Sequence, residues 1–219
     1  ENSLPYQRPP LSKEFLLGAL EPERLLYRKK EYFEKLDIEL MLDDAVENID
    51  AAHCTVSLRS GDVLDYSKLA LTTGARVRTL ECDGADLPDV FYIRSIVDSL
   101  KLRQRLLTAG SVVVVGGGFV GLEAGAIARK MGKSVIILEA QERLMKRAIS
   151  GELSKFYLAL HTRMGSNVRL ECDVSRFEKR QHGLSVVLKT GESINADIVL
   201  VGIGVIPNSE IAKSAGLQC

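Results

Sequence analysis

The chain's 219 residues are 46% hydrophobic and 26% charged, a globular composition that excludes a disordered, collagenous or disulfide-scaffold protein. With 29 basic and 29 acidic side chains the formal net charge is zero, so no broad field attracts nucleic acid or an anionic membrane. The longest apolar run, residues 112–122, is half glycine-rich turn and ends at Glu123, well below the ~20 residues that span a bilayer.

Residues 1–13 are polar and hold Pro5, Pro9 and Pro10. Each proline fixes φ and biases its predecessor away from helix, so an extended loop is expected. Residues 25–36 read as helical or irregular, with Arg28, Lys29 and Lys30 exposed. Short strands are expected at 38–42 and 46–49. A hairpin follows, with 55–58 pairing across Arg59-Ser60-Gly61-Asp62 to the strand from Val63. Residues 68–74 read as a buried strand ending at Gly74, and 98–108 as an amphipathic helix.

From residue 112 the alternation is cleaner. Four valines at 112–115 have the β-branched character of a fully buried parallel strand. A helix at 119–131, a strand at 134–139, a helix at 151–164 and a strand at 168–171 follow. Residues 184–188 and 194–196 flank Thr190-Gly191-Glu192 as a hairpin, and 197–201 is one more buried strand. Strands alternating with helices predict an α/β fold with a parallel sheet. The boundary between the two halves is expected at 107–110.

Cys54, Cys82, Cys172 and Cys219 form no CxxC pair, and His53, His161 and His182 share no ligand spacing with them. No metal site is expected, and the cysteines read as reduced thiols of a cytoplasmic protein. These residues supply no dithiol for disulfide exchange.

Gly116, Gly118 and Gly121 form G-x-G-x-x-G. The motif follows a predicted strand, opens a predicted helix, and has the acidic Glu139 at the end of the next strand. That context marks a Rossmann-like dinucleotide site. Gly116 permits the tight turn, Gly118 the approach of a pyrophosphate, and Gly121 the close packing of helix on sheet. The helix N-terminus supplies free amides and partial positive charge. Glu139 can accept both hydroxyls of a ribose, whereas a 2′-phosphate would meet it with repulsion of order ~4 kcal/mol per charge pair before screening. NADH is therefore expected over NADPH, with Arg143 and Arg147 the cations able to soften that preference.

No Tyr-x-x-x-Lys, Gly-x-Ser-x-Gly or zinc signature accompanies the motif. A nicotinamide site without a small-substrate catalytic residue points to a second redox cofactor. Four further segments stand in order around the glycine loop and Gly121-Leu122-Glu123. They are Pro5-Tyr6-Gln7-Arg8-Pro9-Pro10-Leu11-Ser12-Lys13, Thr73-Gly74-Ala75-Arg76, Phe91-Tyr92-Ile93-Arg94 and Gly202-Ile203-Gly204-Val205-Ile206-Pro207-Asn208. Together they resemble the FAD-dependent, NADH-oxidising ferredoxin reductases of bacterial oxygenase systems, members of the two-dinucleotide-binding flavoproteins.

The resemblance implies a site. Lys13 lies beside the flavin, and Glu123, near the start of the NAD helix, pairs with it; these two are the catalytic candidates. Arg8, Val46, Thr73, Gly74 and Arg94 contact FAD. Gly116, Gly118, Phe119, Val120, Gly121, Glu139, Arg147, Gly202, Ile203 and Gly204 line the NAD cleft. It further implies an incomplete FAD-binding domain at 1–107, an NAD-binding domain with its β-meander at 108–210, and the return to the FAD domain at 211–219. The family's FAD fingerprint is expected before residue 1 and its ribityl-binding segment after residue 219, making this the middle of a longer chain. The implied activity passes hydride from NADH to FAD and then single electrons to a ferredoxin-type iron–sulfur protein. The alternatives are an apoptosis-inducing-factor-like or nitrite-reductase-like NADH flavoenzyme, and an NAD-binding module without catalysis.

Overall fold

The computed structural model describes residues 1–219. The chain folds into two compact units. One comprises Arg8–Leu25 and Val77–Gly204, the other Glu1–Gln7, Leu26–Arg76 and Val205–Cys219.

The first unit is built on a five-stranded sheet, in the order Val90–Phe91, Ile198–Val201, Ser111–Val115, Ser134–Leu138 and Asn167–Arg169. All four ladders are parallel. Parallel strands need crossovers, and the helices Ile96–Thr108, Phe119–Lys130 and Gly151–Arg163 supply them. The valine run is buried on both faces, as expected. Val113 and Val115 join Val199 and Val201 in a core with Phe177, Val186 and Leu188. The last three belong to an antiparallel meander of Val174–Lys179, Leu184–Leu188 and Ser193–Ala196. Every residue of its middle strand is buried. On the other side, a Cβ added to Gly125 would lie 3.4 Å from Ile137 Cδ1, so the small residue lets Phe119–Lys130 sit close to the sheet.

Caps set the helix ends. Ile96–Thr108 begins two residues before the expected position because Ser95 and Asp98 form a capping box. Asp98 Oδ2 accepts the Ser95 amide at 2.8 Å, and Ser95 Oγ accepts the Asp98 amide at 3.2 Å. Such a cap stabilises a helix by about 1 kcal/mol. Residues 1–13 are not wholly extended. Pro9–Ser12 is a 3₁₀ turn, since proline is pre-organised for a first helical position, and Glu14–Leu17 continues as helix until Gly18 at φ +82°.

The second unit holds an antiparallel sheet of Val46–Asp50, Thr55–Leu58 and Val63–Asp65, with the expected hairpin. Two expectations fail here. Residues 38–42 form no strand; Ile38, Met41 and Leu42 are exposed and meet no ladder. Residues 68–74 are not a buried strand either. At Gly74, at φ +68°, the carbonyl accepts the Asn208 amide at 3.0 Å, and side chains add to that backbone bond. Thr73 Oγ1 donates to the Asn208 carbonyl, and Asn208 Nδ2 returns a bond to the Thr73 carbonyl at 3.0 Å. No helix of the chain is long and apolar enough to cross a membrane.

Candidate functional site

The glycine loop sits at the carboxyl ends of Ser111–Val115 and Ile198–Val201, neighbouring parallel strands. Open α/β sheets bind ligands at that edge. The backbones of the two strand ends meet closely. A Cβ on Gly116, at φ +108°, would lie 2.5 Å from the Gly202 carbonyl oxygen, and one on Gly121 would strike the Gly116 carbonyl. Gly202 also donates its amide to Val115 at 2.8 Å. Gly118 is the N-cap of Phe119–Lys130 and is extended, at φ −85° and ψ −178°. Leu122 to Gly118, at 3.0 Å, is the first helical bond. The amides of Phe119, Val120 and Gly121 therefore precede any acceptor within the helix. Phe119 is 55% exposed and Val120 38%. Free amides at the positive end of a helix, on a loop with no Cβ in the way, fit a diphosphate.

Glu139 stands directly after its strand and is half-buried. Its Oε2 accepts the Gly117 amide at 2.6 Å and its Oε1 the Gln141 amide at 2.9 Å. The carboxylate is thus oriented before any ribose arrives. Arg143 is engaged elsewhere: Nη1 donates to the Ile149 carbonyl at 2.9 Å and Nη2 to the Lys146 carbonyl at 2.8 Å. Arg147 is exposed. Ile203 follows Gly202 at the mouth of the loop. Gly204, at φ +112°, offers its carbonyl to the Arg78 amide at 3.0 Å.

One turn into the fingerprint helix, Glu123 meets the proline-rich segment. Its Oε1 lies 3.0 Å from Lys13 Nζ, and its Oε2 accepts from Ser12 Oγ at 2.6 Å. Lys13 and Glu123, 110 positions apart in sequence, form a charge pair in one compact unit. Arg8 and Arg94 also come together there, through Arg8 Nη1 and the Arg94 carbonyl at 2.7 Å. Arg94 donates its own amide to Asp98 at 3.1 Å. In the other unit, Val46 and Thr73 line an open groove of about 530 Å³ with Ala45, Val56, Leu69 and Leu71. Its mostly apolar lining fits a flat aromatic group. All four cysteines are free thiols. Burial and then Asp83 push the Cys82 thiol up, which keeps it protonated.

Two participants escaped the sequence reading. Ser12 was visible only as a letter in the proline-rich block, and no pattern announced its bond to Glu123. Gly117 is the unassigned position of the glycine motif. A Cβ there would strike Leu144 Cδ2 and lie 3.0 Å from Glu139 Oε2.

Known proteins resemble this chain in sequence and fold. Rhodocoxin reductase of Rhodococcus erythropolis is 39% identical over 99% of this chain and 51% of its own length. The ferredoxin reductase for the CYP199A2 system from Rhodopseudomonas palustris superposes with a TM-score of 0.96 at 40% identity, covering 100% of this chain and 54% of that one. The covalent putidaredoxin reductase–putidaredoxin complex gives a TM-score of 0.95 at 33% identity, covering 100% and 54%. The chain spans about half the length of the relatives it matches. The family model described as pyridine nucleotide-disulphide oxidoreductase matches residues 1–219, and the chain belongs to that family.

Proposed function

We propose that this chain is part of an FAD-dependent NADH oxidoreductase that delivers electrons to a ferredoxin-type iron–sulfur protein. The observation that carries the reading is the Lys13–Glu123 pair at 3.0 Å. It sets the Lys13 cation against Glu123, its counter-ion on the helix that opens with the dinucleotide fingerprint. When bound, FAD supplies an acceptor that takes two electrons together and releases them singly. The chain's own residues bind and orient. The amides that open Phe119–Lys130 hold the NADH diphosphate, and Glu139 takes the adenine ribose. Gly202, Ile203 and Gly204 line the nicotinamide side. Lys13 stabilises negative charge arriving beside it, and Glu123 keeps the ammonium in place. Arg8, Arg94, Val46, Thr73 and Gly74 are the FAD contacts.

By ligand, residues 108–210 form the NAD-binding domain, with 1–107 and 211–219 belonging to the FAD-binding domain. These assignments cut the chain differently from its compact units, which group Arg8–Leu25 with the fingerprint. The four free thiols support a reducing, cytoplasmic setting. The names of the relatives support the acceptor class, since rhodocoxin, ferredoxin and putidaredoxin each appear in them.

The test is an anaerobic visible spectrum of the FAD-loaded protein, followed by acceptor assays. NADH is expected to bleach the flavin bands, and cytochrome c reduction is expected to require added ferredoxin. Bleaching with cytochrome c reduced equally well without ferredoxin defeats the acceptor assignment. NADH binding without bleaching defeats the reductase reading and leaves a nucleotide-binding module.

A further inference from the structure

Glu123 has two partners, and they differ in kind. Lys13 reaches Oε1 along a flexible stem whose side chain is 40% exposed. Ser12 reaches Oε2 with a one-carbon side chain, and the residue is only 5% exposed. Its backbone closes the 3₁₀ turn Pro9–Ser12, which begins on two prolines. That turn is anchored in turn: Ser99, fully buried on the helix Ile96–Thr108, donates its Oγ to the Leu11 carbonyl at 2.7 Å. The Ser12 hydroxyl therefore issues from a rigid, buried support.

A terminal carboxylate torsion is broad and roughly two-fold. A mobile ammonium alone cannot hold it in one orientation, because either oxygen satisfies the charge. A second donor on the opposite oxygen can. We propose that Ser12 is a positioning residue. Its hydroxyl fixes the plane of the Glu123 carboxylate, so that Oε1, and with it the Lys13 ammonium, is held at one point beside the fingerprint helix. Without the hydroxyl, Oε2 loses its bond from Ser12, and the Glu123 side chain is 27% exposed. The carboxylate then turns towards water and draws Lys13 out of place. This inference rests on the reading that the Lys13–Glu123 pair assists hydride transfer from NADH.

The experiment uses the FAD-loaded protein and its Ser12→Ala, Ser12→Thr, Lys13→Met, Glu123→Ala and Ser12→Ala/Glu123→Ala variants. Rapid mixing with NADH gives the flavin-reduction rate, equilibrium titration gives NADH affinity, and crystallography of Ser12→Ala gives the Lys13–Glu123 distance. Ser12→Ala is expected to slow reduction roughly ten-fold, the loss typical of one hydrogen bond to a charged group. NADH affinity should stay within about two-fold, because the hydroxyl serves orientation and not ground-state binding. Ser12→Thr should restore most of the rate. In the Glu123→Ala background the serine change should cost nothing more, a coupling that a generally weakened fold would not show. The inference is overturned if Ser12→Ala reduces at the parental rate, or if it slows reduction equally without Glu123. An undisturbed ion pair in the Ser12→Ala crystal overturns it as well. If Lys13→Met and Glu123→Ala themselves leave the rate unchanged, the parent reading of the pair fails and the serine has nothing to position.

Discussion

Glu139 Oε2 accepts the amide hydrogen of Gly117 at 2.6 Å. The contact works only because residue 117 has no side chain: a Cβ there would press on Leu144, itself buried, and on Glu139. Gly117→Ala should displace the carboxylate. Loss of its pre-orientation is expected to raise the NADH dissociation constant roughly ten-fold, or about 1.4 kcal/mol. Fluorescence titration with NADH measures this, and an unchanged constant would sink the claim.

Charge at Glu139 is expected to decide between the two nicotinamide cofactors. Glu139→Ala removes both the ribose acceptor and the repulsion of a 2′-phosphate. The ratio of NADH to NADPH affinity is expected to fall by at least about ten-fold. Arg143 is held by backbone carbonyls, so the exposed Arg147 is the cation left to greet the phosphate. Adding Arg147→Ala to the first change should weaken NADPH again while sparing NADH, as paired titrations can establish.

The helix–strand approach at Gly121 tolerates no side chain. A Cβ would collide with the Gly116 backbone carbonyl and sit 3.2 Å from Val114 Cγ1, and neither neighbour is the end of a flexible chain. Gly121→Val is expected to destabilise the protein by about 3 kcal/mol or more, through overpacking and lost helix position. Thermal melting reads this directly, with a melting temperature close to the parent's counting against it.

His161 is buried in the last turn of Gly151–Arg163. Burial pushes its pKa below the ordinary 6.5. The folded state then binds fewer protons than the unfolded state just below that value, so stability rises with pH there. The contribution is present above about pH 6.5 and is lost as pH falls from there towards the lower folded value. A His161→Gln variant should show a flatter melting temperature between about pH 7 and pH 5. If its slope matches the parent's, the imidazole is not the titrating group.

Much of the candidate site could be read from spacing. The glycine motif, its strand and helix, and Glu139 are contiguous in sequence, and their contacts are local consequences of one strand–turn–helix unit. Other elements carried too little signal. Val90–Phe91 is a strand of two residues, defined only by its ladder with Val199 and Leu200. Val174–Lys179 buries just Phe177 on the meander while exposing Arg176, Glu178 and Lys179, so no period of two stood out. Residues 38–42 show the reverse failure. Their apolar pattern suits a strand, yet a strand needs a neighbour to bond, and none lies beside them.

By itself, then, the amino-acid order determined a parallel α/β sheet carrying a dinucleotide loop, because helix and strand periods and glycine placement are local properties. Tertiary structure alone decided that Ser12 joins the Lys13–Glu123 pair, which the family resemblance already implied. Ser12, Lys13 and Glu123 meet because the proline-rich turn packs within the fingerprint unit. A hydrogen bond is a matter of ångströms and angles, and a separation along the chain specifies neither.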